Sequence, residues 1–275
     1  MRTDVQQLRE FYRTSLGLMA RRRLEQRVRA RWPDVRGMQV AGVGYPVPVL
    51  RPFLDEAERV AALMPATQGV IRWPRSLANV ATQVEEVDWP LPDANIDRLV
   101  LLHALETAEE LRPFLRECWR VLAPGGRLLA IVPNRSGLWA LRESIPFGHG
   151  RPYTGQQLRR LLREHLFEPL ETERALHLPP LKGQTLARMT APIEPLAARW
   201  LRRFGGVVMV EAEKTTAGLV PVRSRVRRYL PELGLRPQRA RGAANQEADL
   251  APNRQSCADD GRAEASAPRS AAESR

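Results

Sequence analysis

The chain has 275 residues, 43% of them hydrophobic and 27% charged, an ordinary globular composition with length enough for one or two domains. Its formal net charge of +12 and pI of about 11.0 admit a nucleic-acid or anionic-surface partner. The excess is almost all arginine, with lysine only at Lys182 and Lys214, as a proteome that uses arginine freely would also produce. Two cysteines, Cys118 and Cys257, argue against a disulfide framework and fit a reduced, cytoplasmic setting. No apolar run approaches the roughly 20 residues of a membrane span, and the opening MRTDVQQLREFY lacks the apolar core of a signal peptide.

Residues Val5 to Trp32 predict one or two helices, with Leu8, Phe11-Tyr12, Leu16, Met19, Leu24 and Val28 at helical spacing. Arg21-Arg22-Arg23, Arg27, Arg29 and Arg31 form the polar side. That side is either a solvated rim or a surface for an acidic substrate, RNA or lipid headgroups. A strand follows at Met38 to Val43, ending in Gly42-Val43-Gly44-Tyr45-Pro46. A helix is expected over Pro48 to Ala57, opened by proline where no amide donor is needed, then a strand at Arg59 to Met64. Gly69 to Trp73 reads as a short strand or loop, and Ser76 to Ala81 as a short helix.

The stretch Val84 to Pro133 carries most of the signal. The turn Pro90 to Asn95 leads into an apolar strand, Leu99 to Leu102. A helix from about Ala108 to Leu122 places Leu111, Phe114, Leu115, Cys118 and Val121-Leu122 on one face. Pro124-Gly125-Gly126 stops it, and Arg127 to Val132 is a second buried-type strand. Strand, helix and strand with short links make a right-handed parallel crossover.

Beyond this unit, Leu138 to Glu143 reads as helical. Thr154 and Gln157 form a capping box for a helix over Gln156 to Glu164. Strands are expected at Phe167 to His177 and Gly206 to Glu213, flanking a proline-broken helical region at Pro192 to Phe204. From about Arg236 the chain is too polar to offset its ordering entropy and is expected to be disordered. The expected division is a basic helical segment (1–35), a main domain (36–235) and a tail (236–275).

Trp89-Pro90-Leu91-Pro92-Asp93, Ile96-Asp97, His103, Leu105-Glu106, Arg120-Val121-Leu122 and Pro124-Gly125-Gly126 stand in one order and spacing. In this the chain resembles the class I S-adenosylmethionine (SAM) dependent methyltransferases of the type 11 branch. The resemblance spans roughly Gly37 to His177. It implies an α/β Rossmann-like sheet of seven strands, mostly parallel with a late antiparallel strand, helices on both faces, and SAM as cofactor.

The resemblance also implies cofactor-binding positions at Gly42, Gly44, Tyr45, Met64, Glu85, Glu86, Leu102 and His103. Gly42 and Gly44 permit close backbone approach, though a bare Gly-x-Gly serves equally as a tight turn. The family's acid before the glycines is Val40 here, and its third glycine is Pro46. Its ribose-binding carboxylate is replaced by Met64-Pro65. Glu85 and Glu86 stand where the family holds the adenine amino group, and read equally as solvated loop acids.

Candidate catalytic residues are His103, His149 and Tyr153. His103 could orient substrate or act as a base, or be held structurally at a strand end; Glu106 reads as the cap of the following helix. His149, Arg151 and Tyr153 resemble a family loop near the site, and could instead anchor that loop to the sheet. No metal site is expected, because histidines and cysteines show no ligand spacing. The leading expectation is methyl transfer to a small-molecule acceptor. The alternatives are a methyltransferase fold retired to binding or scaffolding, and a nucleic-acid-directed methyltransferase; no base-methylating motif follows the Leu99 to Leu102 strand. Oligomeric state is left open.

Overall fold

The computed structural model describes residues 3–177, 180 and 205–215. The buried runs form one seven-stranded sheet: β1 (Gln39–Gly44), β2 (Arg59–Pro65), β3 (Ala81–Val84), β4 (Ile96–Leu102), β5 (Leu122–Pro133), β6 (Phe167–Ala175) and β7 (Val207–Lys214), in the order β3-β2-β1-β4-β5-β7-β6. The first five strands pair in parallel, and β7 runs antiparallel to both β5 and β6. The order reverses between β1 and β4, so their carboxyl ends frame the crevice where open α/β sheets bind ligands.

Side chains alternate along each strand and split the core into two layers. Val40, Val100 and Leu102 face one layer with Leu24, Val28 and Phe53. Ala41, Val43, Leu99 and Leu101 face the other with Phe114, Cys118, Leu158 and Leu162. The first layer is covered by α1 (Val5–Phe11), α2 (Ser15–Arg31) and the short α3 (Val47–Leu50); α4 (Leu111–Val121) and α5 (Gly155–Glu164) cover the second. In α4 the buried residues Phe114, Leu115, Cys118 and Val121 recur at three-to-four spacing, and Pro113 sits in the first turn, where a missing donor costs nothing. Thr154 and Gln157 form the expected reciprocal cap of α5.

The two N-terminal helices are built into this core. Val5, Leu8, Phe11, Tyr12, Leu24, Val28 and Trp32 pack in the same layer as β1 and β4. The basic side of α2 meets carboxylates. Arg27 and Arg31 pair with Glu173, and Arg31 also with Glu171 and, at 3.7 Å, Glu211; Arg29 pairs with Glu56. Trp32 Nε1 donates to Glu211 Oε1 at 2.9 Å. Glu211 is 4% exposed, and a carboxylate so buried requires these donors. Much of the helix's charge is thus used within the fold.

Three local expectations change. The helix over Pro48 to Ala57 ends at Leu50 and gives way to a 3-10 turn at Arg51–Phe53, where Pro52 lacks an amide donor. Ser76 to Ala81 is not a helix. The Asn79 side chain accepts from Trp73 N and Ala81 N and donates to Ala81 O, which leads the backbone into β3 instead. Leu138 to Glu143 forms turns, with the Trp139 ring buried against Gly206. The expected helical region at Pro192 to Phe204 and the tail from Arg236 lie outside the described residues.

Because α2 docks through Leu24, which is fully buried, Leu24→Ala is expected to destabilise the fold by about 2–5 kcal/mol. Urea denaturation followed by tryptophan fluorescence measures it; a loss below about 1 kcal/mol would show that α2 is peripheral.

Candidate functional site

At the carboxyl end of β1 the chain turns through Gly44, at φ +89°. A Cβ there would strike the Leu102 and His103 carbonyls and the Ala104 side chain, so only glycine lets β1 and β4 close on one another. The Tyr45 amide then donates to Leu102 O at 2.7 Å. Beside it, His103 holds φ +55°, a left-handed conformation that costs a non-glycine residue about 1–2 kcal/mol. Its carbonyl accepts from Gln68 Nε2 at 3.1 Å, which helps hold the strained turn.

His103 is 3% exposed, and each of its ring nitrogens has a polar neighbour. Nε2 lies 2.9 Å from the Tyr12 hydroxyl, and Nδ1 lies 3.3 Å from Glu106 Oε1. Glu106 is 2% exposed, and neither of its oxygens meets a hydrogen-bond donor in proper geometry. Aromatic rings enclose the cluster. Tyr12 stacks on Tyr45 with centroids 5.6 Å apart and planes at 15°. Phe147 lies 4.7 Å from the His103 ring and packs edge-on against Phe11.

Burial first, then Tyr45 and the Glu106 charge, push the Tyr12 phenol well above its ordinary range. Burial raises Tyr45 to about 12. Tyr153 is raised by burial and then by Glu106, and its hydroxyl is buried without a partner. The carboxylate of Glu106 therefore bears on tyrosines from two parts of the chain.

The expected site residues divide. Gly44, Tyr45, Leu102 and His103 come together at the strand ends, and the loop carrying Tyr153 reaches them through Arg151 N, which donates to Glu106 O at 2.8 Å. Gly42 faces the chain itself: a Cβ there would meet Pro46. Met64 is fully buried in the core layer that holds Val40 and Val100. Glu85 is exposed, while Glu86 Oε1 accepts from the Glu109 and Glu110 amides ahead of α4. His149 is half-buried, and among the described residues no hydrogen bond or ion pair joins it to His103. Glu106 was expected to cap a helix; it lies instead inside the cluster. Tyr12 and Gln68 carried no polar signal in the sequence, since Tyr12 reads as part of an apolar helix face and Gln68 lies in a loop. No group of three or more metal-ligating side chains forms among the described residues, and no described helix is long and apolar enough to cross a membrane.

The cavity between Thr3, Pro65, Gln68, Glu86, Ala104 and Phe114 measures about 10 Å³, the size of one water, whereas small-molecule sites run to about 300–1,000 Å³. Val5 N donates to Gln68 O at 2.8 Å and ties the N-terminal segment across it. Wider grooves of about 480 and 300 Å³ lie along α5, lined by Arg159, Arg163 and Arg174 in one and Arg135 and Tyr153 in the other. They are open to solvent, and neither is lined by Gln68 or Glu106. Gln68 Oε1, both Glu106 oxygens and the Tyr153 hydroxyl are buried and unpartnered. Such groups are costly unless a ligand rich in N–H and O–H donors meets them.

Residues 41–130 match the family model of a methyltransferase domain. A probable S-adenosylmethionine-dependent methyltransferase of Mycolicibacterium smegmatis is 31% identical over 130 residues, covering 46% of this chain and 44% of that protein. The chain thus matches less than half the length of this curated relative. Among solved structures, a SAM-dependent methyltransferase from Thermotoga maritima aligns with TM-score 0.51 at 15% identity, over 77% of this chain and 96% of that one. The 4+2 cyclase SpnF aligns with TM-score 0.51 at 23% identity, over 74% and 84%. At these identities the structural likeness speaks for the fold.

The raised phenols make a measurable prediction. Tyr45, with a folded pKa of about 12 against an ordinary 10.0, keeps its proton longer folded than unfolded. Its contribution is fully present below pH 10 and is lost as pH rises towards 12. Stability from urea melts should hold up to pH 10 and fall beyond it; Tyr45→Phe should flatten part of that fall.

Proposed function

We infer, from the premise that this chain belongs to the class I SAM-dependent methyltransferase family, that it binds SAM across the ends of β1 and β4 and methylates a small-molecule acceptor. The observation that carries this reading is the set of buried, unpartnered acceptors gathered at the sheet's switch point. When bound, the cofactor supplies an electrophilic methyl group on a positively charged sulfur, so the protein need only bind, align and desolvate.

The donor set suits that ligand. The Gly44-Tyr45 turn offers backbone at close approach, and Gln68 Oε1 offers an acceptor beyond β2, where the family's carboxylate is missing. Glu86 stands at the adenine side. Leu102 and His103 line the methionine side, with the Glu106 carboxylate behind them to favour positive charge. The aromatic wall of Tyr45 and Phe147 keeps water away from the reacting groups. Room for the ligand requires the segment from Thr3 to Tyr12 to lift from the strand ends.

A second reading, a methyltransferase-like fold that has lost catalysis and serves in binding or scaffolding, is favoured by Val40, Pro46 and Met64 at cofactor-contacting positions. A nucleic-acid-directed reading draws less support, since Arg27, Arg29 and Arg31 are paired within the fold. SpnF is called a cyclase, so the fold alone does not dictate methyl transfer.

Calorimetric titration with S-adenosylhomocysteine, followed by hydrogen exchange, tests the reading. The expected result is saturable binding with faster exchange of the amides from Val5 to Tyr12. Absence of binding at millimolar ligand would favour the non-catalytic reading. Gly44→Arg is unsuited to this test, because its side chain would part β1 from β4 whether or not a ligand binds.

A further inference from the structure

The Tyr12 phenol fills a buried slot at the strand ends. Its ring stacks on Tyr45, lies edge-on to Phe11 at 5.0 Å, and presents its hydroxyl to His103 Nε2 at 2.9 Å. Behind His103, Glu106 approaches Nδ1 at 3.3 Å. That approach is a close contact and not a hydrogen bond in proper geometry, but a carboxylate beside Nδ1 favours the tautomer with the proton on that nitrogen. In that tautomer Nε2 is a lone pair and the Tyr12 hydroxyl donates to it. The arrangement is a buried carboxylate–imidazole dyad whose basic nitrogen holds the O–H of an aromatic ring. The left-handed backbone of His103, stabilised by Gln68, fixes that nitrogen in place.

We propose that the Glu106–His103 dyad is the acceptor's general base, and that the slot filled by Tyr12 is the seat of an acceptor bearing an aromatic hydroxyl. This rests on the methyltransferase reading for the fate of the acceptor. In the proton transfer the acceptor's O–H bond breaks and an N–H bond forms at His103 Nε2. The oxygen keeps the electron pair and becomes the nucleophile. Glu106 is a positioning residue: it holds the tautomer and offsets the imidazolium charge. Both of its oxygens are buried without a hydrogen-bond donor, so the carboxylate is not neutralised by another partner among the described residues. The acceptor ring replaces that of Tyr12 against Tyr45, when the segment preceding α2 lifts.

The full chain is titrated with para-nitrophenol, whose phenolate has its own visible band, and with para-nitroanisole, which keeps the ring but has no proton to give. Tyr12→Ala empties the slot. It should bind para-nitrophenol about tenfold more tightly than the native chain, show the phenolate band at a pH where the free probe is protonated, and bind para-nitroanisole about tenfold more weakly. Equal affinity for the two probes, or binding without the phenolate band, overturns the proposal. A second measurement does not depend on that variant folding. Long-range proton–nitrogen spectra of the native chain, with its four histidines assigned by single His→Gln changes, should place the His103 proton on Nδ1. Glu106→Gln should shift it towards Nε2. A native proton on Nε2, or no shift in the variant, overturns the proposal. Neither measurement uses the cofactor. S-adenosylhomocysteine binding with no preference between the probes would sink the acceptor class alone. Phenol recognition without S-adenosylhomocysteine binding would sink methyl transfer instead.

Discussion

The carboxylate of Glu106 lies out of water with no hydrogen-bond donor and one imidazole beside it. A charge in that position is costly, and several elements of the fold converge around it. His103 supplies Nδ1 by adopting a left-handed backbone. Tyr12 closes the opposite nitrogen. Arg151 brings the loop after β5 down onto the Glu106 carbonyl, where Gly150, at φ +77°, lets the two backbones approach. Removing any of these leaves a buried polar group without its partner.

This constraint explains why the N-terminal helices belong to the domain rather than preceding it. A parallel sheet must be covered on both faces, and α1 and α2 cover the layer that α3, only four residues long, cannot. Their attachment is ionic as well as apolar. The arginines of α2 match Glu171, Glu173 and Glu211 on the two strands at the far edge, while Tyr12 reaches the cluster at the sheet's centre. One segment therefore spans the sheet from its far edge to the cluster at the ends of its central strands.

How much was legible follows from the range of each interaction. The unit from β4 through α4 to β5 could be read directly, because apolar spacing, the turn residues and the Pro-Gly-Gly break are local signals. The strand ends Gly44, Tyr45, Leu102 and His103 followed from the same pattern. Ser76 to Ala81 misled, because a single side chain, Asn79, captured the backbone bonds that a helix needs.

The seven-stranded fold class was what the family resemblance of its motifs implied, while the sequence by itself determined the parallel crossover, the capped α5 and the position of His103 at a strand end. Each depends on residues within a few positions of one another, where periodicity and turn chemistry act. The tertiary structure alone decided that Tyr12 meets His103 across 91 residues, that Glu106 faces inward, and that the arginines of α2 are paired 142 and 146 residues away. Those contacts depend on which faces of distant elements are pressed together, and a hydroxyl on an apolar helix face carries no local mark of the partner it will find.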